Sequence, residues 1–196
     1  MDILKREIAP VNSIAWKEID DLAKSILKTR LTARKFVDVS EPKGWDYAAE
    51  PMGRIKVKDG QSKTDPRYGV HQVLPLVEVR KSFELNTWEL DNAVRGAKDI
   101  NLDNLEEATR KMADFEDSAI FHGFSDADIR GILEYVDNKP IDISKEKGHI
   151  FLAGLNRAVT QFRNLGIGGP YTLVINPVIW KDMISNFKGY KLKKHV

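Results

Sequence analysis

Apolar and polar positions follow a helical period in the first part of the chain. From Ser13 to Arg30 the apolar residues recur at spacings of three and four, at Trp16, Ile19, Ala23 and Ile26. Such spacing places them on one face of an amphipathic helix. The side chain of Asn12 or Ser13 can accept a hydrogen bond from an unpaired backbone N–H and so cap this helix. The segment before it mixes charges with Pro10 and is predicted to be an extended arm.

The period changes to two in the next part of the chain, where Ile55 and Val57 alternate with basic residues. Alternation of this kind is typical of a strand with one solvated face. We predict short strands at FVDV (36–39) and RIKVK (54–58), and a longer strand within LPLVEVRKSFELNTW (74–88). A polar, turn-forming stretch lies between them. The pattern predicts a protruding hairpin, which needs a partner surface because an isolated hairpin is only marginally stable in water.

A helical period returns in the clearest helix of the chain, from Asp103 to His122. Its apolar face comprises Leu105, Ala108, Met112, Phe115 and Ala119. Asp103 and Glu106 have the spacing of a capping box, and Gly123 is a natural stop. A helix of this length extends ~30 Å, enough to serve as the spine of a domain.

Two further helices and one strand are predicted in the last part of the chain. One helix runs from about Ser144 to Asn164. The segment YTLVIN (171–176) has the composition of a buried strand. Asn176 then caps a third helix with Pro177 in its first position, where the missing N–H of proline is not needed. The order of elements indicates an α+β protein.

Composition narrows the classes of protein that the chain can represent. It has 196 residues, of which 42% are apolar and 31% charged, and a formal net charge of +2. These values are typical of a folded globular protein, and the near-balance of charge argues against a nucleic-acid partner. The absence of cysteine excludes disulfides, thiol catalysis and cysteine-based zinc sites. With no signal-peptide pattern and no run approaching ~20 apolar residues, we expect a cytoplasmic protein without a membrane partner.

Candidate catalytic chemistry is sparse. The histidines are not spaced as a helical metal-binding pair; they are His71, His122, His149 and His195. The carboxylates of the predicted spine helix are interpreted as a solvated face; they include Glu106, Glu107, Asp114, Glu116 and Asp117. Trp88 lies among polar residues, where its ring either packs under the following loop or offers a surface for stacking a ligand. We therefore expect no enzyme, no metal site and no obligatory cofactor; if Trp88 does stack a ligand, a flavin is the candidate.

Six ordered segments of the chain resemble the encapsulin family, which also carries the older label of linocin-type bacteriocins. They are LKREIAPV, AWKEIDDLAKSILKTRLTARKFVDV, GWDYAAEPMG, LPLVEVRKSFELNTWELDN, LEEATRKMADFEDSAIFHG and GPYTLVINPVIWKDM. Together they cover nearly the whole chain and are more specific than any single short motif. The resemblance implies a shell subunit with the tailed-bacteriophage major-capsid fold. Such subunits self-assemble into a large icosahedral homo-oligomer, the encapsulin nanocompartment.

The same resemblance implies a division of the chain into four parts. Residues 1–49 would form the N-terminal arm and helix and the start of the peripheral domain. Residues 50–75 would form an extended β loop that reaches a neighbouring subunit, 76–131 the peripheral domain with its spine helix, and 132–196 the axial domain. Family members continue beyond the position that matches Val196, so the axial domain is expected to be truncated here.

The resemblance also implies functional residues. Arg34, Phe36 and Asp38 would dock the C-terminal targeting peptide of a cargo enzyme, a dye-decolourising peroxidase or a ferritin-like iron oxidase. Such cargo would give the compartment an oxidative-stress or iron-storage role. The five-fold pore loop would comprise Asn186, Phe187, Lys188, Gly189 and Tyr190.

Three other classes stay open beside the shell subunit. A phage capsid protein would enclose DNA, and near-neutral charge disfavours it. A bacteriocin or protease, as the older label suggests, would need a nucleophile and base that the sequence does not display. A small-molecule binder would use Trp88. The hypothesis is that the full-length protein assembles into a shell.

Overall fold

The computed structural model of the protein describes residues 4–62, 64–136, 141 and 149–185, without the side chains of 149, 150, 152 and 182–185. The chain divides into two compact units, Met1–Val136 and Asp137–Val196. Helices occur in both, and the first also contains a two-stranded antiparallel sheet. The protein is therefore α+β.

The first helix, α1, runs from Ser13 to Arg30, as its apolar spacing predicts. Asn12 caps it, since its Oδ1 accepts a hydrogen bond from Ala15 N at 2.8 Å. The Nδ2 of the same side chain donates to the carbonyl oxygen of Leu90 at 3.2 Å. Asn12 thus starts α1 and also ties it to a segment 78 residues further along the chain.

Replacing Asn12 with alanine is expected to lower the free energy of unfolding by about 1–2 kcal/mol, because both hydrogen bonds are lost. Urea unfolding followed by circular dichroism measures the change. The Asn12→Ser variant is the matched control, since its hydroxyl oxygen can still cap the helix and only the bond to Leu90 is lost. Equal losses in the two variants would contradict a capping role.

The N-terminal arm is predicted to be extended, and this prediction is wrong at Arg6–Ile8, which form a 3-10 turn. The guanidinium of Arg6 donates to the two carboxylate oxygens of Asp20 at 2.7 and 2.6 Å. It also lies 4.6 Å from the centroid of the Trp16 ring, within the range of a cation–π interaction. The hydrogen bonds from Arg6 lower the pKa of Asp20. The arm is therefore fastened to α1 rather than extended away from it.

A hairpin forms in this region as predicted, but its second strand lies mostly in the stretch predicted to be a turn and not in 74–88. Strand β1 spans Ala49–Val57, strand β2 spans Gly69–Pro75, and the two pair antiparallel. Their register shifts between Pro51 and Arg54. A bulge of this kind bends a strand and increases its twist.

The hairpin leaves apolar side chains uncovered. The exposed fractions are 54% for Ile55, 61% for Val57 and 62% for Val70. At the tip, the side-chain amide of Gln61 donates to the carbonyl oxygen of Tyr68 at 2.8 Å and closes the turn. The hairpin therefore holds itself together but exposes apolar surface of the kind that marks interaction sites.

Three predicted strands do not form. Residues 36–39 lie in irregular backbone, β2 ends at Pro75 and does not continue towards Trp88, and residues 171–176 are unpaired. Leu173 is 38% exposed, so that last segment is not buried either. An extended segment becomes a strand only when a neighbour satisfies its backbone N–H and C=O groups. The described residues supply no neighbouring strand for these three segments.

The buried core of the first unit brings α1 together with two later helices. Helix α2 runs from Thr87 to Val94, where the sequence predicts the end of a strand. Asn86 caps it by accepting a hydrogen bond from Trp88 N at 2.9 Å. The buried cluster comprises Ala15, Ile19, Leu90, Ala93, Leu102 and Leu105. The core therefore depends on helix packing and not on the sheet.

The longest helix, α3, spans Asp103–His122 and ends at Gly123, as predicted. The predicted capping box is wrong, because Leu102 occupies the N-cap position and its side chain makes no cap hydrogen bond. The side chain of Asn101 accepts from the N–H of Asp103 at 3.0 Å instead. Glu106 forms an ion pair with the residue one turn further on. α3 packs along α1 and organises the first unit.

Two glycines allow the chain to fold back past the end of α3. Gly123 has a φ angle of +82°, in the left-handed region that glycine adopts without steric cost. Gly131 approaches so closely that a β-carbon there would lie 2.4 Å from Gly123 N and from the carbonyl oxygen of Phe121. Beside this crossing, the rings of Phe115 and Phe124 meet edge to face at 5.3 Å.

The second unit contains helix α4, His149–Asn164, and helix α5, Pro177–Ser185. The predicted end of α4 at Asn164 is confirmed, while its predicted start near Ser144 lies outside the described residues. The predicted cap of α5 is also confirmed, because Asn176 Oδ1 accepts from Ile179 N at 2.8 Å.

Candidate docking groove

A groove of about 520 Å³ lies in the first unit beside the C-terminal half of α3. One part of its lining is the loop 37–44, together with Tyr47 and Glu50 near the start of the hairpin. Glu116 and Ile120 contribute from α3. The groove is therefore built from three segments that the fold of the first unit brings together.

Arg34 borders this groove from a 3-10 turn, Ala33–Lys35. Its Nε and Nη2 donate to the two carboxylate oxygens of Glu116 at 2.5 and 2.8 Å. These hydrogen bonds raise the pKa of Arg34 above its ordinary value. The two side chains are 50% and 33% exposed, and exposed ion pairs contribute little stability. The main effect of the pair is therefore to set the direction of the guanidinium.

Asp117, the next residue on α3, holds the same turn through its backbone. Its Oδ2 accepts from Thr32 N at 2.9 Å and its Oδ1 accepts from Ala33 N at 3.1 Å. Thr32 supplies no side-chain cap of its own; its hydroxyl donates to the carbonyl oxygen of Arg30. The carboxylate of Asp117 therefore caps the turn from a different helix.

The interpretation of the α3 carboxylates as a solvated face is wrong for Glu116 and Asp117. Both engage the turn at 33–35, at sequence separations of 82 to 85 residues. No local spacing in the sequence signals such a contact. Glu107, by contrast, pairs with Lys111 one turn away on the same exposed face.

A second recess, of about 330 Å³, lies next to the turn at 33–35, between residues of α1 and α3. Leu27 of α1, Phe83 and Met112 of α3 give it an apolar lining. Arg34 and Glu116 line this recess as well as the larger groove. Apolar walls with a few placed polar groups are the usual composition of a binding site, and here the ion pair borders both cavities.

Charged groups of both signs surround the larger groove. Asp38, Glu41 and Glu50 are acidic and Lys43 is basic. The hydroxyl of Tyr47 donates to Glu50 Oε2 at 2.6 Å, and this hydrogen bond raises the pKa of Tyr47. The Nζ of Lys43 lies 5.5 Å from the centroid of the same ring. These groups can fix the orientation of a bound segment.

Two of the three residues implied for cargo docking line the groove. Arg34 and Asp38 both border it. Phe36 does not; it is half-buried, and its ring packs against Phe121 of α3 with centroids 5.8 Å apart. Phe36 thus anchors the loop that carries Asp38. The docking role itself stays a prediction.

Trp88 lies in the first turn of α2 and is 73% exposed. The guanidinium of Arg95 is 6.0 Å from its ring centroid. The alternative in which the ring packs under the following loop is therefore wrong for the described chain, and the ring is open to stacking. The implied pore loop, 186–190, lies outside the described residues.

The described residues bring no group of three or more histidine, cysteine or acidic side chains into an arrangement that could hold a metal ion. In that same part of the chain no helix is long and apolar enough to cross a membrane.

The geometry of the groove and recess supports binding of an extended segment.

Comparison with known proteins connects this geometry to a family. The whole chain, residues 1–196, matches the model of a family described as encapsulating protein for peroxidase. Relatives named type 1 encapsulin shell protein include those of Rhodospirillum rubrum, 34% identical over 203 residues, and Mycolicibacterium paratuberculosis, 34% identical over 201 residues. Another, from Brevibacterium linens, is 30% identical over 198 residues. The alignments cover 100% of this chain and 72, 74 and 73% of these relatives.

Proposed function

The chain belongs to the family of encapsulating proteins for peroxidase, and we therefore propose that it is a shell subunit that self-assembles into a closed icosahedral compartment. The match along all 196 residues carries this proposal. The finer fold that we propose is that of the tailed-bacteriophage major capsid protein, with α3 as its spine helix and the hairpin as its extended loop.

The uncovered hairpin supports self-assembly. Ile55 and Val57 are more than half exposed on one face of β1. Apolar surface of this kind usually marks a site of association. In a symmetric shell every copy offers the same surface, so one favourable contact is repeated throughout the assembly.

The groove beside α3 supports cargo capture. We propose that Arg34, Phe36 and Asp38 belong to the site that docks the C-terminal targeting peptide of a peroxidase or a ferritin-like iron oxidase. Arg34 and Asp38 border the groove, and Phe36 anchors its loop on α3. Cargo of this chemistry would give the compartment, within the cytoplasm, a role in oxidative stress or iron storage.

The shell-subunit proposal is better supported than a catalytic role or a phage capsid. The matched family is described by what it encloses and not by a reaction, and the relatives are named shell proteins. A phage capsid encloses nucleic acid, for which a net charge of +2 provides no basic surplus. The bacteriocin or protease reading has no support beyond the older family label.

Two finer proposals concern the pore and a ligand. We propose that residues 186–190 surround a five-fold pore.

For Trp88, the exposed ring favours a stacked aromatic ligand such as a flavin. A flavin bound there would give purified shells a yellow colour and a visible absorption band that Trp88→Ala removes; colourless shells would contradict it.

Assembly is tested on the purified full-length protein by size-exclusion chromatography with negative-stain microscopy. We expect uniform hollow particles of megadalton mass. A stable monomer or a small oligomer would contradict the shell proposal. Co-expression with a peroxidase then tests cargo capture, since the enzyme should purify inside the particles.

A further inference from the structure

The turn at Ala33–Lys35 depends on groups outside itself. Its N-cap residue, Thr32, makes no side-chain cap hydrogen bond. The N–H groups of Thr32 and Ala33 instead donate to the two oxygens of one carboxylate, Asp117. Hydrogen bonds to a charged acceptor are stronger than those to a neutral one. A single side chain of α3 therefore supplies the polar contacts that begin this turn.

The ion pair of Arg34 with Glu116 does not replace that contact. Arg34 is half exposed, and a pair of this kind contributes little stability. Glu116 orients the guanidinium, but it can do so only while the backbone of the turn keeps Arg34 within reach of α3. Ala33, whose N–H donates to Asp117, is fully buried. Its burial limits the movement of the turn once this hydrogen bond has formed.

We propose that Asp117 is a positioning residue of the docking groove: from α3 it fixes the turn at 33–35 and thereby holds Arg34 at the edge of the groove, where the cargo peptide would bind. The inference rests on the proposed docking of cargo at Arg34. Asp117 acts through the turn and need not touch the cargo. The residue that contacts the peptide and the residue that places it thus come from segments 83 positions apart in the chain, Arg34 and Asp117.

The test is the Asp117→Asn variant of the full-length protein, co-expressed with a dye-decolourising peroxidase that carries a C-terminal targeting peptide. The amide keeps one acceptor oxygen but turns N–H donors towards the second backbone N–H. Peroxidase per purified shell, measured by haem absorbance, is expected to fall about tenfold. Asp114→Asn is the matched control, because Asp114 lies on the same helix and is 64% exposed, 3.6 Å from Arg30. Its shells should load normally.

A double-mutant cycle separates positioning from general damage. If Asp117 acts through Arg34, Asp117→Asn should change loading by less than about twofold once Arg34 is already alanine. An equal further loss in the Arg34→Ala background would overturn the proposal, as would normal loading of Asp117→Asn alone. Unmodified shells that load neither this peroxidase nor a co-expressed ferritin-like iron oxidase would instead contradict the proposed cargo function, and with it this inference.

A second variant removes the backbone donor of the same contact instead of its acceptor. Thr32 has a φ angle of −73°, which suits proline. Thr32→Pro therefore removes the N–H donor without altering α3, and should reduce loading as Asp117→Asn does. Hydrogen exchange gives a readout that needs no cargo: the amides of Thr32 and Ala33 should exchange at least about tenfold faster in Asp117→Asn. Unchanged exchange would overturn the proposal even if one variant fails to form shells.

Discussion

Replacing Ile55 with glutamate is expected to abolish shell assembly while the subunit itself stays folded. Ile55 is 54% exposed on the hairpin, so a charged side chain costs the isolated subunit little. In the proposed shell this face is buried against a neighbouring copy, where removing an unpaired carboxylate from water costs several kcal/mol. The penalty repeats at every copy, and hollow particles should therefore disappear. Size-exclusion chromatography with negative-stain microscopy measures this, and circular dichroism reports the fold.

Val70→Glu is the matched control for this experiment. Val70 is likewise an exposed β-branched residue, at 62%, but it pairs directly with Lys56 on the opposite, polar face of the hairpin. A glutamate there gains a basic neighbour, so particles should still form. Normal particles from Ile55→Glu would show that its face is not part of a subunit contact. Loss of particles in both variants would contradict the assignment of the contact to one face.

Replacing Gly131 with alanine is expected to have the largest effect on the stability of the first unit. The new β-carbon would lie 2.4 Å from Gly123 N and from the carbonyl oxygen of Phe121. Both are backbone atoms and cannot rotate away, so the crossing after α3 must open. Overpacking of this kind costs about 3 kcal/mol, and the melting temperature should fall by ~6–12 °C. Differential scanning calorimetry of the purified protein measures the shift.

Gly168→Ala provides the comparison for that measurement. A β-carbon at Gly168 would have no heavy atom within 4 Å, so the same chemical change is introduced without a steric conflict. Its melting temperature should stay within about 2 °C of the unmodified protein. Similar shifts in the two variants would show that the close approach at Gly131 is not what limits stability.

Much of the docking groove could not be predicted from the sequence. Resemblance to a family implied Arg34, Phe36 and Asp38, and two of these border the groove. Glu116 and Asp117 were missed because a charged residue on an amphipathic helix is normally solvated. Their partners lie more than 80 residues earlier in the chain, and no pattern within α3 indicates them.

The sequence by itself determined where α1 and α3 run and how α1 and α5 are capped. Those features depend on apolar spacing and on side chains within a few residues, such as Asn12 and Asn176. The family was also readable from the order of segments along the chain. Tertiary structure alone decided which extended segments became strands, since a strand needs a partner for its backbone, and only β1 and β2 found one among the described residues. It alone also decided that Asp117 caps a turn in another part of the chain, because that contact exists only once α3 has packed along α1.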